Sequence, residues 1–161
     1  MNILYVTGEA APFCKTGGLA DVSGSLPVAL AKRGHRVAVI LPLYNTIAAR
    51  WRQQMTFRKH IYVDLSWRHE YCGLFSLDYQ GVTWYFVDNE HYFARGRLYG
   101  EGDDGERFGF FSQAVNLYRT DIHRFRQVQK RGMTDDFSWD ASAGAYESLY
   151  QHITGQTRST K

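Results

Sequence analysis

The stretch Lys15-Thr16-Gly17-Gly18-Leu19-Ala20-Asp21 constrains this chain more than any other, because it joins an apolar run to an amphipathic one. Upstream, Ile3-Leu4-Tyr5-Val6 reads as a short buried strand; downstream, Leu19, Val22, Leu26, Ala29 and Leu30 recur at helical spacing. Gly17 and Gly18 let the backbone turn sharply and approach a ligand with no Cβ in the way. Unpaired amides at the start of the helix face that turn and attract an anion. Lys15 adds a mobile positive charge at the same mouth. Many α/β domains open this way without a ligand, so the pattern alone leaves two readings: a phosphate site, or glycines for tight packing beside an exposed lysine. Asp21 also has a plain reading, as a first-turn carboxylate that favours the helix dipole by roughly 0.3–1 kcal/mol.

The spacing predicts a helix from about Gly18 to Arg33, stopped by Gly34. Pro27 either kinks it or divides it into two short helices. Val37-Ala38-Val39-Ile40-Leu41 follows as a strand buried on both faces, so strand, helix and strand form a right-handed βαβ unit with parallel strands. Ligands in such sheets lie beyond the carboxyl ends of the strands, where Lys15 to Gly18 fall. Residues 44–58 are mixed and basic and read as a loop with a helical turn, its arginines solvated. Three strand-like runs come next, at 61–65, 71–79 and 82–87, with Gln80-Gly81 as a two-residue hairpin turn. In the last third, Ile122, Phe125 and Val128 mark an amphipathic helix, and Ser138 caps a second one that carries Trp139, Tyr146, Leu149 and Ile153.

Several function classes are excluded or unsupported. A net charge of +3, with 19 basic and 16 acidic side chains, falls short of the clustered charge of a nucleic-acid binder. No apolar run approaches the ~20 residues of a membrane helix, and the first residues have neither the basic flank nor the apolar core of a leader. Cys14 and Cys72 lie too far apart for a Cys-x-x-Cys motif, and a reducing cytoplasm is the expected setting. Gly100-Glu101-Gly102-Asp103-Asp104-Gly105 matches a dinucleotide pattern only formally, because its acidic residues would repel a pyrophosphate. It reads instead as a turn ending in a helix cap at Asp103 or Asp104, and it lacks the spacing of a calcium loop. His91 has no orienting partner in the sequence and is not assigned as a base. The aromatic content of 16% suits a core and a carbohydrate groove equally.

The ungapped string from Val6-Thr7-Gly8-Glu9 through Lys15-Thr16-Gly17-Gly18 to Leu26-Pro27 closely resembles the amino-terminal signature of bacterial glycogen synthases and plant starch synthases. Asp88 to Phe93, Leu98-Tyr99-Gly100 and Asp103 to Phe108 resemble the same family, and Met133 to Ala143 is similar to its extreme carboxyl terminus. The resemblance implies an α/β fold: an incomplete Rossmann-like domain of the GT-B amino-terminal type, a parallel sheet plus a β-hairpin, followed by two carboxyl-terminal helices. It divides the chain into 1–115, the amino-terminal part of the catalytic domain, 116–154, the closing helices, and 155–161, a frayed tail. The family's middle is missing near Asn116, and with it essentially the whole second domain.

Members of that family transfer glucose from ADP-glucose, with retained configuration, to the non-reducing end of an α-1,4-glucan. The resemblance therefore implies ADP-glucose and α-glucan as partners and no cofactor. Lys15, Gly17, Gly18 and Asp21 become the wall facing the sugar nucleotide; Tyr92 and Phe93 are candidates for the glucan groove or, alternatively, rings that cover the sheet edge. No catalytic residue and no metal ligand is assigned, since the family's catalytic cations lie in the missing domain, so the chain alone is expected to be inactive. A non-catalytic glucan-binding or synthase-docking module is the alternative. A parallel sheet lacking its later strands should also expose an unpaired edge, a route to self-association.

Overall fold

The computed structural model describes residues 1–66 and 68–119, and Met1–Tyr118 forms one compact unit. The helices expected around Ile122–Val128 and after Ser138, and the tail from Thr154, lie outside the described residues.

Five strands form one sheet: β1 (Asn2–Val6), β2 (Arg36–Pro42), β3 (Thr56–Leu65), β4 (Arg68–Tyr79) and β5 (Val82–Asp88), in the order β1-β2-β5-β4-β3. β1, β2 and β5 run parallel, while β4 pairs antiparallel with both β5 and β3. Four helices connect or follow them: α1 (Gly18–Lys32), α2 (Ala49–Arg52), α3 (Glu90–Phe93) and α4 (Asp104–Arg119). The expected architecture of a Rossmann-like parallel sheet carrying a hairpin is therefore present.

Local chemistry accounts for most element ends. Gly34, with φ +85°, closes α1 as a left-handed residue after Arg33. α1 runs through Pro27 without a break; a proline there forfeits one backbone bond, and this ring is buried against the core. The β4–β5 connection has both central residues at positive φ, Gln80 at 52° and Gly81 at 76°, the geometry that matches the twist of a tight hairpin. β3 and β4 begin well before the apolar runs that mark them, at Thr56 and Arg68. The added residues include Arg58, Lys59, His60 and His69 on a solvent-facing hairpin, where polar side chains hide strand structure from an apolar pattern.

The strand at Ile3–Val6 is not a buried one. Among the described residues β1 has β2 as its sheet partner and forms an edge, with Leu4 38% and Val6 48% exposed. α1 likewise has two apolar stripes: Ala20, Pro27 and Val28 are buried, while Leu19, Val22, Leu26 and Ala29 face solvent. Within the unit, Phe13 sits at the centre of one aromatic cluster, meeting Trp84 at 4.9 Å, Phe86 at 5.1 Å and Trp51 at 5.2 Å, all edge-on. A second cluster joins Tyr92, Phe93 and Phe110 with Tyr44.

Candidate functional site: the glycine turn and its cleft

The loop from Thr7 to Gly17 leaves the carboxyl end of β1, as the βαβ order requires, and is tied down at several points. Thr7 Oγ1 bridges the Glu9 carbonyl at 2.9 Å and Ser23 Oγ at 3.0 Å, joining loop to helix. The Ala11 amide donates to the Ala20 carbonyl at 2.9 Å. Gly24 allows this approach: a Cβ there would stand 2.4 Å from the Ala11 carbonyl oxygen. Phe13 plugs the loop into the aromatic core, and Cys14 beside it is buried, its thiol pushed up to about 11 chiefly by that burial.

Glu9 is the residue that local pattern did not single out. It is buried, and its side chain accepts from the Thr16 amide at 2.6 Å and from Thr16 Oγ1 at 2.7 Å. One carboxyl group thus fixes the residue between Lys15 and Gly17. Its signal lies seven residues upstream and depends on the loop folding back, which spacing does not encode.

The structure brings Lys15 and Asp21 together: Lys15 Nζ lies 2.7 Å from both carboxylate oxygens, in an exposed pair. The ammonium at the mouth is therefore already engaged, and an incoming anion would compete with Asp21 for Lys15, or share Lys15 with it. Gly17 caps α1 with no side-chain hydrogen bond, so the first amides of the helix are left to the turn. Its φ of −153° is extended backbone open to any residue, and a Cβ at Gly17 or Gly18 would meet nothing within 4 Å. Neither a sharp turn nor tight packing calls for glycine at these positions. What the two glycines leave is empty space in front of the helix start.

That space adjoins a cleft of about 760 Å³, with Pro12, Phe13, Lys15 and Thr16 on one wall and Arg97, Leu98 and Tyr99 on the other. The second wall is built by charges inside the acidic segment. Arg107 is fully buried, donating to the Tyr92 carbonyl at 3.1 Å, to the Leu98 carbonyl, and to Asp104 Oδ1 at 2.9 Å. Asp104 also accepts from the Gly100 amide at 2.7 Å, and Asp103 receives a two-pronged bond from Arg95 at 2.5 and 2.6 Å. Contact with the Arg95 guanidinium holds Asp103 below the usual carboxylate range, and the Gly100 amide does the same for Asp104. These carboxylates shape a loop, as an acidic turn at a helix start should; no cluster able to hold a metal occurs among the described residues. Tyr99 leans across the cleft, its hydroxyl in contact range of Gly8 and pushed up to about 12, first by burial and then by the charge of Glu9.

One expectation changes. Tyr92 and Phe93 do not line a groove: both are fully buried, Tyr92 against Phe110 at 4.9 Å and Phe93 against Tyr44 at 5.7 Å. The cap at Asn89, whose side chain accepts from the Tyr92 amide at 2.9 Å, rotates this short helix so that its rings enter the core. His91 does have a neighbour, Arg68, whose guanidinium lies 3.2 Å from Nε2; as a donor it occupies the lone pair that a base at that nitrogen would need, and His91 stays unassigned. Tyr44, fully buried, carries a hydroxyl with no hydrogen-bond partner among the described residues, its pKa raised by burial first and then by Tyr99.

Fold and site together define a Rossmann-like α/β domain with an open helix start behind two glycines, on the loop that leaves the carboxyl end of its first strand. Residues 2–128 match the family model described as the starch synthase catalytic domain. The chain belongs to that family. It is 56% identical over 115 residues to the glycogen synthase of Halalkalibacterium halodurans and 53% identical over 115 residues to that of Streptococcus pneumoniae, in each case 71% of this chain and 24% of the relative. Among solved structures it resembles the catalytic domain of starch synthase IV from Arabidopsis thaliana bound to ADP and acarbose, with a TM-score of 0.63, 29% identity, and coverage of 70% of this chain and 24% of that one. The chain thus spans about a quarter of the length of the relatives it matches. No described helix is long and apolar enough to cross a membrane.

Proposed function

We propose that this chain supplies the amino-terminal wall of a site that transfers glucose from ADP-glucose to the non-reducing end of an α-1,4-glucan. The carrying observation is the open, uncapped start of α1 behind Gly17 and Gly18, with the Lys15 ammonium beside it at the mouth of a cleft. Helix-start amides and an ammonium suit the diphosphate, whose negative charge grows as glucose departs. Asp21 holds Lys15 in place and would hand it over to the phosphate. The catalytic domain of starch synthase IV, a structural neighbour, was solved with ADP, a nucleoside diphosphate, and acarbose. The cations that complete catalysis belong to the family's second domain, so this chain alone binds without turnover.

Calorimetric titration of the 161-residue chain with ADP, AMP and pyrophosphate tests this reading. ADP and pyrophosphate should bind and AMP more weakly; Lys15→Ala should weaken ADP roughly tenfold, the loss of one charge-assisted contact. Unchanged ADP binding in both Lys15→Ala and Gly17→Ala would overturn the assignment, and release of labelled glucan from ADP-glucose by the chain alone would refute its dependence on a second lobe. The alternative, a non-catalytic glucan-binding or docking module, draws on the chain's spanning only a quarter of its relatives. Co-sedimentation with glycogen in the absence of any ADP affinity would select it.

A further inference from the structure

The two cations that face the cleft differ in what already holds them. Lys15 Nζ lies 2.7 Å from both oxygens of Asp21, so its charge is answered before any ligand arrives. Arg97, on the opposite wall, is exposed and has no hydrogen bond or ion pair among the described residues. The carboxylates nearest to it in sequence are committed elsewhere: Asp103 to the Arg95 guanidinium at 2.5 and 2.6 Å, and Asp104 to Arg107 and to the Gly100 and Glu101 amides. Glu101 lies in the field of Arg95. Among the described residues, Arg97 therefore carries the uncompensated positive charge of this cleft.

Exposure alone would make Arg97 one more solvated side chain; its mount sets it apart. Arg95, two residues earlier, is fastened through its guanidinium to the His91 carbonyl at 2.9 and 3.1 Å as well as to Asp103. Leu98, directly after, is buried, and its carbonyl accepts from the fully buried Arg107. The Gly100 amide is held by Asp104 at 2.7 Å. The chain is thus pinned on both sides of residue 97, and Gly96 puts no side chain over it: a Cβ there would meet nothing within 4 Å. A pinned backbone lowers the ordering cost of holding the guanidinium toward a ligand.

The cleft's volume of about 760 Å³ is that of a small-ligand site, and Pro12, Phe13 and Leu98 make much of its wall apolar. A guanidinium fork donates two parallel bonds to two oxygens of one phosphoryl group, and an apolar surround strengthens that pair by lowering the local dielectric. A neutral sugar chain uses neither property. We propose that Arg97 is a specificity-determining residue: from the second wall it grips the phosphoryl group farther from the nucleoside in a nucleoside diphosphate, so that the cleft prefers a diphosphate to a monophosphate. The inference rests on the reading of this cleft as a sugar-nucleotide site and adds a contact independent of the Lys15 wall.

The test titrates the 161-residue chain with ADP, AMP and inorganic pyrophosphate in a calorimeter, comparing Arg97→Gln, Arg97→Lys, Lys15→Ala and Gly17→Ala. Arg33→Gln, at the opposite end of α1 from Gly17, is the charge control. The Arg97 variants should melt within about 2 °C of the parent, because the side chain is exposed and unpaired. Arg97→Gln should weaken ADP and pyrophosphate roughly tenfold and AMP less than about twofold. Arg97→Lys keeps the charge but loses the fork, and should weaken ADP roughly threefold. In NMR spectra the Arg97 Nε–H resonance should move on addition of pyrophosphate and stay in place with a malto-oligosaccharide. Equal losses for ADP and AMP, or a loss no larger than that of Arg33→Gln, would overturn the inference. A tenfold loss in Arg97→Gln beside unchanged binding in Lys15→Ala and Gly17→Ala would uphold it and overturn the first wall; the reverse pattern would keep the first wall and overturn Arg97. A chain that shows neither heat nor a resonance shift with pyrophosphate would overturn both.

Discussion

At one edge of the sheet β3 carries Arg58, Lys59 and His60 in succession, a register shift at Arg58, and Asp64 near its end. At the other, β1 carries five residues with no charge and no irregularity. Exposure alone does not separate them, since Tyr62 on β3 is 51% exposed and Val6 on β1 is 48%. Charge and regularity do. A lysine in mid-strand and a bulge keep other chains from pairing with β3, whereas β1 offers an unguarded ladder. The difference teaches that the two edges of the described sheet are protected unequally, and the glycine turn grows out of the strand at the unguarded one.

The strongest challenge to this contrast is to remove one aromatic ring at each edge. Phe13 anchors the β1 side in a buried cluster, so Phe13→Ala should cost about 3–5 kcal/mol in denaturant unfolding. Phe57 on β3 is half exposed and its ring meets that of Phe75 at 5.3 Å, so Phe57→Ala should cost less than about 1.5 kcal/mol. Comparable losses would mean that the turn is not held by its plug.

Next come the glycines on the β1 side, which divide into two kinds. Gly24→Ala drives a Cβ into the Ala11 carbonyl and should destabilise by about 1–3 kcal/mol. Gly17→Ala meets nothing, and its unfolding midpoint should move by no more than about 0.5 kcal/mol while ADP binding falls. A large stability loss at Gly17 would show that its glycine serves the fold rather than the opening in front of α1.

How much of this was legible in the sequence follows the range of the interactions involved. The strand, turn and helix around Lys15, the stop at Gly34 and the hairpin at Gln80-Gly81 are written in neighbouring residues, and the structure contains them. That β1 is an edge is not written in Leu4 or Val6, because edge position depends on which strands pair, and an apolar run looks alike in either place. Tyr92 and Phe93 were misread for a related reason: the Asn89 cap and the packing of Phe110, not their own spacing, turn those rings inward. Glu9 and Arg107, buried charged side chains that shape the cleft walls, hold Thr16, Leu98 and Tyr92 from seven to fifteen positions away, beyond the reach of a local pattern; the Arg107–Asp104 pair is local to α4.

Acid should separate the two sides of the unit as well. Asp103 and Asp104 have folded pKa values held below their ordinary range, so their contribution is complete above that range and is lost as pH falls through the depressed values. Below about pH 4 the 95–104 wall should loosen, seen as faster proteolysis or a change in Tyr99 environment, while amide exchange in the β4–β5 hairpin stays slow. A hairpin that opens at the same pH would show that the wall is not a separate acid-sensitive segment.

The smallest expected effect on stability bears most directly on the two edges. Lys59→Val replaces a charge in the exposed stretch of β3 with a good strand former, and its effect on unfolding should stay within about 0.5 kcal/mol. Its effect on association should not be small, because the lysine is one of the two features that keep β3 from pairing. Light scattering at rising concentration should detect new oligomers in Lys59→Val that the bulge at Arg58 only partly suppresses, and Val6→Lys should move association of the same chain in the opposite direction. If Lys59→Val leaves the chain as dispersed as before, the bulge alone guards β3, and the contrast with β1 rests on regularity of the strand rather than on charge.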